Sequence, residues 1–358
     1  MSCDRDGAAV VAEEVRAAIE AIRFDWDDRT FSVTASIGLV LVTEDSEDLA
    51  EVLMHADAAC YRAKDRGRNR VQLFDTDIVA LSEREGEMRW ISHITKALDD
   101  NGFYLVAQPI ACLSDENGSS SRGCERFEML LRMRTSAGEN VSPGLFLPAA
   151  ERYHIATRLD RWVVAATFDW MTDSKNRLEQ IGLCSINLSG HSITDESFLR
   201  DLLQRLEQDP RVGSKLCFEI TETAAMNNID AAVEFIEKVQ EMGCTFALDD
   251  FGSGSASFGY LKSLPVDFVK IDGVFVRDML NNDVDLAMVK AINDIGHIMG
   301  KQTIAEFVET TAVAERLKSM GVDFAQGYAT GVPAPLDDLF KAPKKNEGGA
   351  SQSGPEAA

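Results

Sequence analysis

From residue 103 onward the chain alternates two kinds of segment without an evident internal repeat: short apolar runs rich in β-branched residues, and longer stretches with apolar residues at helical spacing. The runs predicted as strands are 103–113, 124–134, 183–189, 215–221, 245–250, 267–272, 302–307 and 323–328. Helical patterns between them cover 158–172, 197–208, 230–242, 284–299 and 311–319. Parallel neighbours in one sheet need a crossover, and a helix is the usual one. Eight strands alternating with helices over about 255 residues match a closed α/β barrel. The predicted fold class is therefore α/β, a TIM-type (β/α)8 barrel. An open doubly wound sheet is the alternative that the pattern allows.

The acids fall at particular places in these runs. Glu128 lies in the second, Asn187 ends the third, Glu219 ends the fourth, and Asp249 and Asp250 end the fifth. Lys270 and Asp272 lie in the sixth, Glu306 and Glu309 at the seventh, and Gln326 in the eighth. Barrel enzymes draw catalytic groups from the C-terminal ends of several strands. A charge inside an apolar strand is costly unless it is paired or bound to a cation. Alternation along the strand puts Glu128, Leu130 and Arg132 on one face, so Arg132 could meet an anion held beside Glu128.

Read singly, each group has an ordinary explanation. Asp249–Asp250 before Phe-Gly makes a strand-end Asx turn, Glu219 and Glu222 cap a helix, and Lys270 snorkels to solvent. Those explanations would all have to hold at once on one rim. Oxygen ligands from carboxylates and one amide suit hard cations, Mg2+ or Mn2+, rather than zinc. No H-E-x-x-H occurs, and none of the five histidines lies in these strand-end segments. Adjacent aspartates flanked by further carboxylates can share Asp249 between two cations about 3.5–4 Å apart.

Composition bears on the partners. The formal net charge is −23, which argues against non-specific binding to nucleic-acid backbones or anionic membranes, since that needs a basic footprint. An anionic substrate would need bound cations or local Arg and Lys to reverse the field. Seven cysteines, an odd number without a C-x-x-C pair, read as reduced thiols, and the expected location is the cytoplasm, without membrane contact.

The first 77 residues follow a different plan: a helix over 8–22, a strand over 31–42, a helix over 48–67 and a short strand over 70–75. A helical pattern then runs from about 80 towards the barrel, with 78–92 read as a linker helix. Residues 341–358 are rich in Gly, Ser and Pro and read as a disordered tail.

Together the motifs resemble the EAL family of cyclic di-GMP phosphodiesterases, over residues 84–340. The matching segments are Q-P-I at 108–110, F-E-M-L-L-R at 127–132, I-N-L-S at 186–189 and F-E-I-T-E at 218–222. L-D-D-F-G-S-G at 248–254, V-K-I-D at 269–272, A-E-F-V-E-T at 305–310 and Q-G-Y at 326–328 complete the set. The resemblance implies hydrolysis of cyclic di-GMP to linear pGpG by water activated by two Mg2+ or Mn2+ ions. It implies that Glu128, Asn187, Glu219 and Asp249 hold one ion, and that Asp249 and Asp250, with Glu306 near, hold the other. Lys270 would orient the attacking water, with Glu306 as an alternative general base. Gln108, Arg132 and Gln326 would face the dinucleotide, Asp272 and Glu309 would position water and ligands, and Glu222 would pin the 251–257 loop. A homodimer through the barrel is implied as well. The competing expectation is a catalytically silent member that binds cyclic di-GMP and signals through a partner.

Three positions depart from the family pattern. Met129 replaces a common Ala and is expected to point away from the site, Ala107 replaces a common Tyr, and Phe307 replaces a common Gly at the rim. The segments T-A-S-I-G-L at 34–39 and H-A-D-A-A-C-Y-R-A-K-D-R-G-R-N-R-V at 55–71 resemble the second half of a GGDEF diguanylate cyclase domain. The G-G-D-E-F hairpin itself is absent from the sequence, so residues 1–77 are expected to be a catalytically incompetent remnant, in a fragment or a truncated chain.

Overall fold

The computed structural model describes residues 5–42 without 21–22, 27–28 and 33, then 52, 56, 59–60, 63 and 69–74, then 90–113, and finally 125–340 without 136–137, 139, 175 and 253–257. It divides into two compact units, Met1–Met88 and Arg89–Ala358.

The larger unit is built on eight strands: β1 Phe103–Cys112, β2 Glu125–Arg134, β3 Ile181–Leu188, β4 Leu216–Thr221, β5 Thr245–Phe251, β6 Phe268–Ile271, β7 Gln302–Ala305 and β8 Phe324–Gln326. From β2 to β8 each strand pairs in parallel with the next. β1 runs antiparallel to both β8 and β2, and these pairings close the sheet into a barrel. Closure removes the open-sheet alternative. The reversed β1 is the departure from uniform β/α alternation, since antiparallel neighbours can be joined without a crossover helix.

The outer helices include α1 Pro143–Arg152, α2 Ala156–Thr172, α3 Glu196–Gln208, α4 Ile229–Gln240, α5 Asp283–Ile298 and α6 Thr311–Ser319. The last five correspond to the predicted helical patterns within two residues at each end. α1 has no counterpart among them, because Pro143 and Pro148 disguise it; Pro143 occupies the first turn, where its missing N–H costs nothing. Side-chain caps set the starts of α3 to α6: Asp195, Asn228, Asn282 and Thr310 each accept from first-turn N–H groups. The apolar faces of these helices cover the outward residues of the strands, among them Met129, Ile186, Ile220, Leu248, Val269 and Ile271. Met129 is 2% exposed in this outer layer, on the opposite strand face from Glu128.

In the smaller unit a helix spans Arg5–Glu20. Arg23–Trp26 pairs antiparallel with Arg29–Ser32, and Ile37–Leu39 pairs in parallel with Val71–Leu73. The single strand predicted over 31–42 is thus two pieces with different partners. Arg16 on the helix bonds Glu13, Glu20 and Asn69. Most of the helix predicted over 48–67, the linker up to residue 89 and the tail from 341 lie outside the described residues. Among the described residues no helix is long and apolar enough to cross a membrane.

Candidate active site

In a closed barrel every second strand residue points inward. One inward layer is apolar, formed by Ile110, Cys217, Ala247, Phe268, Ile304 and Phe324. Two residues further along their strands stand Glu219, Asp249, Lys270, Glu306 and Gln326. On β1, which runs the other way, the equivalent step back reaches Gln108, which pairs with Glu128 across the β1–β2 ladder. The period of two along each strand therefore stacks a polar layer on an apolar floor at the C-terminal mouth.

Lys270 sits at the centre of that layer and is 1% exposed, so it does not snorkel. Its Nζ lies 2.5 Å from Glu219 Oε2, 2.9 Å from Glu306 Oε1, 3.0 Å from Asp249 Oδ1 and 3.8 Å from Glu128 Oε2. Glu128 also accepts from Asn187 Nδ2 and, at 2.5 Å, from Gln326 Nε2. Gln326 Nε2 lies 3.3 Å from Gln108 Oε1, and Gln108 Nε2 donates to Gly331 O at 3.1 Å.

β5 ends in a register irregularity between Leu248 and Phe251 against β6, and Asp250 there has a φ of +55°. Regular alternation would send Asp249 and Asp250 to opposite faces. The irregularity turns both toward the mouth: one carboxylate oxygen each from Asp249, Asp250 and Glu306 lie within 4.8 Å of one another. The Asx contact also exists, Asp250 N donating to Asp249 Oδ1 at 3.1 Å, so the local turn and the cluster coexist.

The other expected residues take several positions. Glu222 is buried and accepts from Gly252 N at 2.9 Å at the edge of the loop; residues 253–257 lie outside the described residues. The cap of the helix Glu222–Asn227 is Thr221, neither Glu219 nor Glu222. Asp272 caps the short helix Gly273–Val276, accepting from Val274 N. Arg132 is half-buried and donates to Leu131 O, four residues beyond Glu128 on β2. Glu309 is exposed on the loop after β7.

Burial and crowding shape the charges. Burial raises the Glu219 carboxyl, and Glu128 and Asp249 add to this against the pull of Lys270, holding it at about 8. Glu306 is pushed up to about 8 by burial and Asp249, again against Lys270. Asp250 rises to about 6 through burial, Asp249 and Asp272. Burial opposes charge on Lys270, yet the surrounding acids more than offset it, so its ammonium is held above the ordinary lysine range. The single Lys270 ammonium cannot balance four carboxylates, so protons or bound cations must supply the remaining positive charge. Glu219 Oε1 and Gln326 Oε1 are buried without a hydrogen-bond partner, and every acid in the cluster is an oxygen donor. This donor set fits hard divalent cations.

Arg277 went unnoticed in the sequence; its guanidinium lies 4.0 Å from the centroid of the Phe307 ring. No spacing rule could have found it, because the two residues meet only through the packing of separate loops.

The family profile of the EAL domain matches residues 91–333, and that of the diguanylate cyclase GGDEF domain matches residues 1–70. The chain is 37% identical over 336 residues to the cyclic di-GMP phosphodiesterase PdeB of Shewanella oneidensis, covering 93% of this chain and 39% of that protein. It is 34% identical over 258 residues to the cyclic di-GMP phosphodiesterase PdeF of Escherichia coli, covering 72% of this chain and 33% of that one. The chain thus spans well under half the length of these relatives. The crystal structure of the FimX EAL domain from Pseudomonas aeruginosa bound to c-di-GMP superposes with a TM-score of 0.62 at 30% identity, covering 68% of this chain and 96% of that one. A complex of the PaMucR phosphodiesterase with c-di-GMP gives 0.62 at 28% identity, covering 70% and 99%. Barrel, strand-end acids and family profile coincide over the same residues, and the chain belongs to the EAL domain family.

Proposed function

We propose that residues 84–340 hydrolyse cyclic di-GMP to linear pGpG with the help of two divalent cations, Mg2+ or Mn2+. The observation that carries this reading is the buried Lys270 shared by Glu128, Glu219, Asp249 and Glu306, with Asp250 turned into the same space. In this reading Glu128, Asn187, Glu219 and Asp249 hold one cation, and Asp249, Asp250 and Glu306 the other. When bound, the cations supply Lewis-acid charge that polarises water and offsets the phosphodiester charge.

The protein's own groups do the rest. Lys270, kept protonated by its acids, is a donor and not a base; it orients the attacking water through its N–H groups. In the alternative assignment Glu306 is the general base. Gln108 and Arg132 contact the dinucleotide, Gln326 holds Glu128 in place, and Asp272 and Glu309 position water. The apolar floor of Phe268, Ile304 and Phe324 keeps water from approaching from below.

Residues 1–77 act in this reading as a non-catalytic GGDEF-like neighbour, 78–92 as a linker helix and 341–358 as a tail. The barrel pairs with a second copy through the face beside the 251–257 loop, in the cytoplasm.

The test is purified protein with cyclic di-GMP and either Mg2+ or Mn2+, followed by chromatography. The expected product is pGpG, lost on Glu128→Ala. A protein that binds the dinucleotide yet yields no product with either metal is a silent receptor, and the catalytic reading then fails.

A further inference from the structure

Asn187 stands where β3 loses a neighbour. β2 pairs with β3 only as far as Met129 and Ile186, so Asn187 and Leu188 are held on one side alone, against Glu219 and Ile220 of β4. Asn187 is also exposed, whereas Glu128 and Glu219 are buried. Its Nδ2 donates to Glu128, which leaves the amide oxygen as the atom able to bind a cation. A neutral amide oxygen attracts a cation less strongly than a carboxylate, so its contribution depends on being fixed beforehand.

The chain just beyond Asn187 is fixed by Asp160, on the second turn of α2. Asp160 Oδ2 accepts from Ser189 N at 2.9 Å, Ser189 Oγ at 2.7 Å and Ser192 Oγ at 2.6 Å. Hydrogen bonds to an ionised acceptor are about twice as strong as neutral ones. Ser189 is locked a second time as the cap of the short helix Gly190–Ile193, its Oγ accepting from Ser192 N. The carboxylate is carried on a firm support, because Leu159, Val163 and Val164 bury the same stretch of α2 against the core. The end of β5 is built alike: Glu222 accepts from Gly252 N, two residues beyond Asp250, as Asp160 accepts from Ser189 N, two residues beyond Asn187.

We propose that Asp160 is a positioning residue for cation binding, presetting Asn187 by fixing Ser189 and Ser192; this rests on the reading in which Asn187 holds a cation.

The test is calorimetric titration of the full chain with Mn2+, without substrate, for wild type, Asp160→Asn, Asn187→Ala and the double variant. Asparagine keeps the shape and an acceptor oxygen but removes the charge that strengthens the three bonds, and a melting curve verifies that the variant is folded. Asp160→Asn is expected to weaken Mn2+ binding about 10-fold, as losses behind a metal ligand do elsewhere. The double variant is expected to bind no more weakly than Asn187→Ala alone, because nothing is left to position. A stabilising role alone would lower the melting temperature of Asp160→Asn and leave its Mn2+ affinity unchanged, which overturns the proposal. Losses that multiply in the double variant overturn it as well, since Asp160 then acts by a route other than Asn187. If Asn187→Ala binds Mn2+ like wild type, the ligand assignment and the positioning role fall together. A protein that shows the expected pattern yet yields no pGpG refutes hydrolysis and leaves the role of Asp160 standing.

Discussion

Lys270 is the residue through which the cluster is balanced, and its removal separates charge from chemistry. With its ammonium gone, Glu128, Glu219, Asp249 and Glu306 lose their one protein counter-charge. Lys270→Met is therefore expected to bind Mn2+ at least as tightly as wild type, by calorimetry, while turnover falls about 10²- to 10⁴-fold. Glu219 and Glu306 make a second prediction. Both carboxyls titrate at about 8 when folded against an ordinary 4.5, so the folded protein binds more protons than the unfolded one across that window. Stability of the cation-free protein should fall as pH rises from 4.5 to about 8 and level off above. Saturating Mn2+ should abolish that fall, because cations displace the protons. Thermal melting against pH, with and without Mn2+, reads both statements. A cation-free melting temperature that climbs between pH 6 and 8 would contradict the assignment.

Among the elements, the end of β5 and the turn after β3 matter most. Glu222 holds Gly252, whose φ is +98°, immediately after the irregularity that aligns Asp249 with Asp250. Glu222→Ala should weaken cation binding about 10- to 100-fold without loss of the fold, as outer-shell losses do elsewhere. Glu222→Gln should cost far less, since an amide oxygen still accepts the Gly252 N–H. On α2, Asp160 Oδ2 accepts from Ser189 N, Ser189 Oγ and Ser192 Oγ, tying the helix to the turn beyond Asn187. Burial raises the Asp160 carboxyl despite these bonds. Asp160→Ala strands three donors and should lower unfolding stability by about 3 kcal/mol in denaturant titration, with the inner acids untouched.

For the whole molecule, the net charge of −23 opposes an anionic dinucleotide at long range. With divalent cation held saturating, kcat/KM for cyclic di-GMP should rise as monovalent salt goes from about 20 to 150 mM, because screening weakens that repulsion over the Debye length. A steep fall would mean that attraction from Arg132 and the cations already dominates at a distance. The division into units at Met88 and Arg89 carries a related expectation: residues 89–340 expressed alone should unfold cooperatively, because the barrel and its helices complete one core.

Much of this protein follows from local pattern. The period of two in the strands, the helical spacing between them and the oxygen-only acids at the strand ends are properties of short segments, and they suffice for an α/β fold with acids gathered at the strand ends. Lys270, Glu219 and Glu306 are legible for the same reason: a charge within an apolar strand has few places to go. Direction and register are not local. That β1 runs antiparallel, and so brings Gln108 opposite Glu128, depends on which strands close the sheet. That two consecutive aspartates face one space depends on a left-handed residue which alternation alone forbids. α1 was hidden because its prolines read as loop, although a helix start tolerates proline. The pairing of Phe307 with Arg277 belongs wholly to tertiary structure, since neither residue's neighbours in the chain say what its ring or guanidinium will meet. By itself, then, the sequence determined the alternation of strands and helices and the oxygen donors at the strand ends, because periodicity and the cost of buried charge act within single strands, and closure into a barrel was left to the pairing of β1 with β8. Tertiary structure alone decided the direction of β1, the turning of Asp250 and the Phe307–Arg277 stack, because each depends on contacts between segments distant in the chain.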